Sequence, residues 1–445
     1  MASLNKYIKN SPNFVKKIYY KLVPFEKRYG REFSKTYDFL NTTLLWDKEK
    51  LKNHQFLELQ RLIKKCYDYV PYYHKLMIDY GVSREIKDFE ELSKLPILTK
   101  DIVRENWNDL IDKRYLKNSF VFKTSGSTGE KFKFLGNDNL YKREAAFVLR
   151  AFNLHGSSLY DNHTVWLRRY APKAGEPMSF VDYELNRTYM SPFNVSDSTV
   201  KQYVKTIDDT KSETLVTYPS LANFLSIVMA KNNLRFKHIK SVHCASESVI
   251  PKWRENVRKN LGIELYAHYG MMEKVSFFCN TNISNGRYAE SLEYGFTEFD
   301  KNTGSVIGTG FLNDVMPFIR YSPGDIAFPA EDIKYHGSLP ISVNDFLGRK
   351  TDMITCIDGR SIPGVNFYTM MYKIKGVSMF QIVQKTLRDI EIRYIKSKDW
   401  SEKTDSEIKI GMKERVGNCN LKIVLVESFE RAKNTGKFKT ILNES

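Results

Sequence analysis

The middle of the chain alternates between two hydrophobic periods. The spacing typical of an amphipathic helix recurs three times, over 200–207, 221–230 and 253–261. Short apolar runs between and after these segments predict strands, over 214–218, 239–243 and 265–269. Strands that alternate with helices in this way predict a parallel sheet covered by helices on both faces.

The regions that flank this middle part have other patterns. Residues 47–70 have helical spacing and stop before Pro71, which predicts a helix. Residues 120–134 form two short apolar runs around a turn rich in Gly, Ser and Thr, which predicts strand, loop and strand. Over 294–328, Gly and Pro divide short strand-like runs, as in an antiparallel barrel or sheet.

Both periods return in the C-terminal part of the chain. Three strand-like runs follow Arg349, at 379–383, 390–395 and 421–426. The predicted fold class is therefore α/β. A large N-terminal domain, residues 1–350, holds parallel sheets flanked by helices plus a small antiparallel barrel or sheet, and a small α+β C-terminal domain covers residues 351–445.

The composition excludes several classes of protein. Of the 445 residues, 42% are hydrophobic and 13% aromatic, which argues against a disordered or collagen-like chain. No apolar run reaches the roughly 20 residues of a transmembrane helix, and the first residues lack the apolar stretch of a signal peptide. The five cysteines are scattered without a CxxC pair, which indicates a reducing compartment. We therefore expect a cytoplasmic protein.

The formal net charge of +17 is densest near the N-terminus. Between Lys6 and Lys35, nine Lys or Arg residues stand against Glu26 and Glu32, interleaved with apolar side chains. One interpretation is a helix on the anionic inner face of a membrane, which would make the protein peripheral there. The other is a solvated basic face. No common nucleic-acid-binding signature is present, so we expect no nucleic-acid partner.

Two motifs have the residue types that nucleotide chemistry needs. The first is Thr124-Ser125-Gly126-Ser127-Thr128-Gly129, whose small hydroxylated residues let backbone and side-chain donors approach phosphates, although such a stretch can also be a plain turn. It lacks the Gly-Lys-Ser/Thr of a Walker A loop. The second is Tyr269-Gly270-Met271-Met272-Glu273, directly after a predicted strand, where a carboxylate can hold Mg²⁺ or simply be solvated.

Three further motifs are each compatible with an ordinary turn. They are Tyr321-Ser322-Pro323-Gly324-Asp325, Gly348-Arg349-Lys350-Thr351-Asp352 and Gly436-Lys437. An aspartate in a tight turn can accept ribose hydroxyls, and Arg or Lys can reach a phosphate. The cysteines and histidines near the second motif (His243, Cys244, His268, Cys279) lack zinc-site spacing, so we interpret them as structural and predict no zinc site there.

Taken in order, the five motifs resemble the adenylate-forming superfamily of acyl- and aryl-CoA synthetases, luciferases and peptide-synthetase adenylation domains. Softer matches point to its phenylacetate–CoA ligase branch and to the CapK-like members linked to capsular polysaccharide. These matches lie at 70–73, 95–100, 218–220 and 380–384. The resemblance implies a mobile C-terminal domain with a hinge near Thr351.

The resemblance also implies roles for the motif residues. The loop from Thr124 to Gly129 would grip the β- and γ-phosphates of ATP, chiefly through Ser125, Ser127 and Thr128. Ser246 and Glu247 fall where the branch has a Gly-Glu step that lines the adenine pocket.

The remaining roles concern the base, the ribose and the reacting groups. Tyr269 would stack on adenine, followed by Gly270 and Met271, and Glu273 would hold Mg²⁺. Asp325, helped by Arg349, would bind the ribose. Lys437 would bridge the attacking carboxylate and the α-phosphate.

The expected reaction is AMP-forming activation of a small-molecule carboxylate, followed by transfer of the acyl group to an acceptor. One alternative is an amine acceptor, with amide formation in surface polysaccharide and one partner on a sugar that is lipid-linked. A second is a thiol acceptor, CoA, as in phenylacetate–CoA ligases. A third is a non-catalytic nucleotide-binding protein at the membrane, against which the presence of Lys437 argues.

Overall fold

The computed structural model describes residues 8, 11–23, 25–124, 132–160, 162–349, 353–431 and 436–444. The helices in these ranges are α1 Asn13–Leu22, α2 Phe25–Tyr29, α3 Arg31–Thr43, α4 Lys48–Tyr69, α5 Pro71–Asp79, α6 Phe89–Leu92, α7 Lys100–Glu105, α8 Asp138–Asn153, α9 Val200–Asp209, α10 Pro219–Lys231, α11 Pro251–Leu261, α12 Gly364–Lys373 and α13 Lys403–Val416. Each helix of the described ranges is too short or too polar to cross a membrane.

The strands cover the segments that the apolar runs predict, and several more. They are β1 Ser119–Lys123, β2 Lys133–Asn137, β3 Thr164–Leu167, β4 Ser179–Asp182, β5 Arg187–Met190, β6 Thr214–Thr217, β7 Ser241–Ala245, β8 Glu264–Gly270, β9 Phe277–Cys279, β10 Tyr288–Glu290, β11 Gly295–Phe299, β12 Val306–Gly310, β13 Asp325–His336, β14 Leu339–Arg349, β15 Met353–Thr355, β16 Ser361–Pro363, β17 Val377–Gln384, β18 Asp389–Lys396, β19 Asn420–Leu425 and β20 Ile441–Asn443. The predicted α/β fold class is confirmed.

The chain divides into two compact units. The first unit comprises Met1–His163, Val181–Arg187 and Tyr266–Phe346. The second unit comprises Thr164–Phe180, Thr188–Leu265 and Leu347–Ser445. The division into a large domain over 1–350 and a small one over 351–445 stays a prediction.

The second unit contains the parallel strands that the alternating pattern predicts. β6 pairs in parallel with β3 on one side and with β7 on the other, and the register aligns Leu167, Thr217 and Cys244. Every residue of β6 and β7 is buried. The helices that follow these two strands, α10 and α11, begin with a proline at the first turn, where no N–H is needed. The predicted β-α-β-α order is therefore confirmed here.

The first unit is built mainly from antiparallel strands. β9 pairs antiparallel with β8 and β10, and β10 pairs antiparallel with β14. β11 and β12 form a separate antiparallel pair, as the short runs divided by Gly and Pro predict. The predicted strand–loop–strand is the pair β1 and β2. The predicted helix over 47–70 is α4, which the Asp47 carboxylate caps by accepting the Lys50 N–H at 2.8 Å.

The C-terminal part of the second unit is a four-stranded sheet in the order β19-β18-β17-β20. Its core includes Phe367, Phe380, Ile392 and Ile408, all fully buried. β20 pairs in parallel with β17, opposite Ile382 to Gln384. The segment between β19 and β20 contains Gly436 and Lys437, so the pairing of β20 fixes the chain just after the predicted catalytic lysine.

Candidate active site

Three polar positions follow the carboxyl ends of the three parallel strands in the second unit. Arg168 comes after β3, Tyr218 after β6, and Ser246 after β7. The register aligns Leu167, Thr217 and Cys244 at or next to the ends of these strands, so the three positions are neighbours along one edge of the sheet. The carboxyl edge of a parallel sheet is where ligands bind in open α/β folds.

Glu247 connects this edge to the segment that contains Lys437. One carboxylate oxygen, Oε1, accepts the backbone N–H of Phe438 at 2.6 Å, and the other accepts the backbone N–H of Ser220 at 3.2 Å. Ser220 lies in the first turn of α10, where backbone N–H groups lack helical partners and favour an anion. Glu247 therefore caps α10 and holds the residue next to Lys437.

Arg431 holds Gly436, the residue that precedes Lys437 in the chain. Arg431 Nη1 donates to the carbonyl oxygen of Gly436 at 3.2 Å and to Ser220 Oγ at 2.9 Å. Gly436 has a φ of +72°, and a Cβ there would lie 2.8 Å from Pro192 Cγ. Only glycine fits this position, because both the left-handed backbone and the close approach exclude a side chain. Lys437 is thus held between Gly436 and Phe438.

Ser246 has a backbone conformation that is unusual for serine. Its φ is +75°, and its Oγ accepts a hydrogen bond from Arg168 Nη2 at 2.9 Å. Arg168 is 5% exposed, and burial lowers the pKa of its guanidinium. A strained residue that is held by a buried cation at a sheet edge is typical of a functional site.

The first unit places Tyr269 and Asp325 together, as the motifs predict for residues of one binding site. The Tyr269 hydroxyl donates to Asp325 Oδ2 at 2.8 Å. The Tyr269 ring stacks on Phe346, with ring centroids 3.8 Å apart and 7° between the planes. Asp325 is the first residue of β13, and Tyr269 lies near the end of β8. This arrangement presents a flat aromatic surface beside a carboxylate.

Glu273 is buried and hydrogen-bonded, so it is not the solvated loop carboxylate of the simpler interpretation. Its side chain is 5% exposed, and Oε1 accepts the hydroxyl of the fully buried Tyr321 at 2.7 Å. Mg²⁺ in nucleotide sites is held by one or two carboxylates together with phosphates and water. A single oriented carboxylate fits that donor set. No cluster of three or more His, Cys, Asp and Glu able to hold a metal exists in the described ranges.

The remaining predicted residues lie as follows. The Thr124 N–H donates to the Phe132 carbonyl at 2.9 Å, whereas Ser125 to Gly129 lie outside the described residues. Gly270 ends β8, and Met271 accepts the Lys274 N–H through its carbonyl in the turn that leads to Glu273. Arg349 ends β14, and the predicted hinge at Thr351 lies outside the described residues. The buried thiols of Cys244 and Cys279 have raised pKa values, about 12 for Cys279.

Three residues of these sites were not predicted from the sequence. Phe346, which stacks on Tyr269, has its partner far away in the chain. Arg431 donates to Gly436, five positions on, but also to the distant Ser220. Arg168 had one usable signal, because a charged residue directly after a strand of a parallel sheet lies at the ligand-binding edge.

Comparison with known proteins gives four consistent matches. Residues 354–444 match the CapK C-terminal domain. Protein CapK of Staphylococcus aureus is 23% identical over 368 residues, which cover 79% of this chain and 79% of CapK. Phenylacetate-coenzyme A ligase of Thermus thermophilus is 24% identical over 348 residues, 72% of this chain and 74% of the ligase. Solved 2-hydroxyisobutyryl-CoA ligase, in the postadenylation state with R3-HIB-AMP, has a TM-score of 0.68 at 15% identity and 90% coverage of both chains.

The fold is that of solved 2-hydroxyisobutyryl-CoA ligase, an adenylate-forming enzyme. In sequence the chain is similar to CapK and to phenylacetate-coenzyme A ligase, and its residues 354–444 match the CapK C-terminal domain. The resemblance inferred from the five motifs is confirmed.

Proposed function

We propose that the protein activates a carboxylate with ATP as an acyl-adenylate and transfers the acyl group to an amine, forming an amide in the synthesis of a surface polysaccharide. The observation that carries the activation step is the hydrogen bond from the Phe438 N–H to Glu247. It keeps the Gly436–Phe438 segment at the carboxyl edge of the parallel strands. This anchoring of the neighbours of Lys437 supports the proposal that the lysine acts on a ligand at that edge.

The proposed role of Lys437 follows from the charges that adenylation brings together. A carboxylate oxygen attacks the α-phosphorus of ATP, a P–O bond to the leaving pyrophosphate breaks, and both reactants are anions. The Lys437 ammonium reduces their repulsion, most strongly as charge develops in the transition state. Glu273 would hold Mg²⁺, which neutralises phosphate charge when bound. Tyr269, Phe346 and Asp325 would receive the adenine and ribose.

The amine acceptor is proposed because of CapK. The CapK C-terminal domain match and the relative named CapK both point to capsule chemistry. In the second step the amine nitrogen attacks the acyl carbonyl, AMP leaves, and the amine loses a proton. An amino group on a sugar would give the amide.

A thiol acceptor is the second candidate function. The similarity to phenylacetate-coenzyme A ligase, 24% identity over 72% of this chain, is of the same order as that to CapK, 23% identity over 79%. CoA would then displace AMP to give a thioester. Purified protein, ATP and a reactive acid should be incubated with CoA, with an amino sugar, or with neither. Acyl-CoA formation without amide would replace the amide proposal.

ATP–pyrophosphate exchange with a panel of carboxylates tests the activation step. We expect exchange that depends on one class of acid and falls by about 10²-fold or more in Lys437→Ala, as for loss of a transition-state charge contact. Lys439→Ala is the matched control, because Lys439 is exposed on the same segment. Normal exchange in Lys437→Ala would remove Lys437 from the mechanism, and no exchange with any acid would end the proposed function.

The exposed surface of the N-terminal helix α1 supports the proposal that the protein binds to an anionic membrane. α1 buries none of its residues, and Phe14, Ile18 and Leu22 lie on one face at 67%, 56% and 74% exposure. Lys17 and Lys21 are exposed beside them. An apolar stripe flanked by lysines fits the interface of an anionic bilayer. By contrast, α3 packs into the first unit through Phe33 and Leu40, so only the first part of the basic region is proposed to contact lipid.

A further inference from the structure

Arg168 is a buried cation with an unused hydrogen-bond donor. It is 5% exposed, and its Nε has no hydrogen-bond partner among the described residues. Its Nη2 donates to Ser246 Oγ at 2.9 Å. No carboxylate within the described ranges forms an ion pair with it, and the charged group that most affects it is another cation, Arg169.

This arrangement is unfavourable for the ligand-free protein. A buried guanidinium without a counter-ion loses hydration that its surroundings do not replace. The rings of Tyr218 and Trp166, with centroids 4.9 and 5.9 Å from Arg168 Cζ, provide modest cation–π compensation. A side-chain hydrogen bond with Tyr218 also favours the charged form, but burial outweighs it and lowers the pKa of the guanidinium. A bound anion would remove the deficit.

The geometry favours an anion that binds at one edge of the guanidinium. Nε and Nη2 share an edge of the planar group, the edge that binds the two oxygens of a carboxylate or phosphate. The hydroxyl of Ser246, a residue with positive φ, accepts from Nη2, one of the two nitrogens of this edge. Ser246 is exposed whereas Arg168 is buried, so a ligand that contacts Ser246 would approach Arg168 from the surface.

We propose that Arg168 and Ser246 form a subsite for an anionic group, a phosphate or a carboxylate, of a ligand in the adenylation reaction. The proposal rests on the proposed function for the identity of the reaction, but not for the binding of an anion. The group has two sources. It belongs to the nucleotide, or it is a second acidic group on the acid substrate, which would then be at least a dianion. In both cases the anion lies at the edge of the parallel strands. Glu247, which accepts the N–H of Phe438, anchors the segment that contains Lys437 at the same edge.

Arg168→Met is the main test, because methionine keeps the volume and removes the charge. Arg169→Met is the matched control, since Arg169 is exposed and adjacent. Calorimetric titrations with ATP and with adenosine, and with inorganic pyrophosphate, measure binding without turnover. Loss of a hydrogen-bonded charge contact should weaken anion binding by about tenfold or more. The unfolding midpoint of ligand-free Arg168→Met should equal or exceed that of the wild type.

The results distinguish the two sources. Weaker binding of ATP and pyrophosphate with unchanged binding of adenosine assigns the subsite to the nucleotide. Unchanged ATP binding, with a KM raised about tenfold for dicarboxylates or phosphorylated acids but not for monocarboxylates, assigns it to the acid substrate. Unchanged binding and unchanged KM for every acid would overturn the proposal.

Two further controls keep the test decisive. Ser246→Ala keeps the buried guanidinium but removes the hydroxyl that accepts from its Nη2, and it should reproduce the loss in milder form if Arg168→Met fails to fold. A wild-type protein without exchange activity would end the proposed function. The pyrophosphate titration would still decide whether Arg168 binds an anion.

Discussion

The Glu247 carboxylate accepts the backbone N–H of Phe438 at 2.6 Å, across 191 positions of sequence. The same carboxylate caps the first turn of α10 through Ser220. One side chain thus couples a strand end, a helix start and the residue that follows Lys437. The position of the lysine therefore depends on the Glu247 carboxylate as well as on its own neighbours in the chain.

We predict that Glu247→Gln reduces adenylation mainly through kcat. The neutral amide keeps one oxygen but loses the charge-assisted bond and leaves one of the two N–H groups poorly satisfied. Hydrogen bonds to charged groups contribute about 1.5–3 kcal/mol, so the exchange rate should fall by about tenfold to a hundredfold. Steady-state exchange kinetics with ATP and acid varied separately measure this effect.

The control for this prediction is Glu255→Gln, because Glu255 is an exposed carboxylate on α11 that pairs with Lys252 on the surface. It should leave the exchange rate unchanged. Equal activity of Glu247→Gln and the wild type would show that Lys437 does not need this contact.

A second prediction separates the two partners of Tyr269. Tyr269→Phe keeps the stack on Phe346 but removes the hydroxyl that donates to Asp325. We expect it to change ATP affinity less than threefold, roughly the value of one hydrogen bond exchanged for water. Asp325→Ala should weaken ATP binding by about 1.5–3 kcal/mol, because a carboxylate that accepts ribose hydroxyls is lost. Calorimetry with ATP measures both, and an unaltered dissociation constant in Asp325→Ala would make Asp325 only a turn residue.

The middle of the fold could be predicted because its signals are local. The hydrophobic period predicts the α-β-α-β-α-β order from Val200 to Gly270, and Pro219 and Pro251 mark two helix starts. The motifs likewise place Tyr269, Glu273 and Asp325 at the ends of strands or in the turns next to them. Such features depend on residues that are close together in the chain.

The rest of the site depends on contacts that no local pattern contains. Phe346 stacks on Tyr269, and Arg431 donates to Ser220 Oγ, only because the folded chain brings these distant residues together. Ser246 adopts a positive φ although serine does not favour it, since tertiary contacts override the backbone preference. Arg168 could have been selected by its place after β3, but its burial and its unused Nε are visible only in the structure.

The third prediction concerns Glu290, whose pKa is raised by burial to about 7. The ordinary pKa of a glutamate is 4.5. Between about pH 4.5 and pH 7, the folded protein therefore keeps a proton on Glu290 that the unfolded chain has already released. The free energy of unfolding should therefore fall as the pH rises through this window, by about 3 kcal/mol in total, and then level off.

Glu290→Gln should abolish this pH dependence and be the more stable protein above pH 7. Its amide stays neutral and keeps an oxygen that can accept from the Ser342 hydroxyl. Urea unfolding at pH 5, 6, 7 and 8 measures the effect, with Glu331→Gln as an exposed control. Parallel pH curves for the wild type and Glu290→Gln would show that the carboxyl group does not titrate in this range.

The last prediction concerns α1 and anionic membranes. Phe14, Ile18 and Leu22 repeat every four residues and remain exposed, while Lys17 and Lys21 lie beside them. Each lysine near an anionic surface contributes about 1 kcal/mol, and the contribution weakens as salt shortens the Debye length. We expect co-sedimentation with phosphatidylserine vesicles at low salt, little with phosphatidylcholine vesicles, and a marked decrease at high salt.

Two sets of substitutions distinguish membrane binding through α1 from attraction by the net positive charge of the whole protein. Replacing Phe14, Ile18 and Leu22 by serine should abolish vesicle binding, because the apolar stripe supplies the insertion that charge alone does not. Replacing Leu45, Leu57 and Ile78, which are 87%, 59% and 57% exposed outside α1, should leave binding unchanged. If both triple variants bind as the wild type does, the attraction comes from the overall charge of +17 rather than from α1. If the wild type fails to bind at low salt, the exposed face of α1 does not contact lipid.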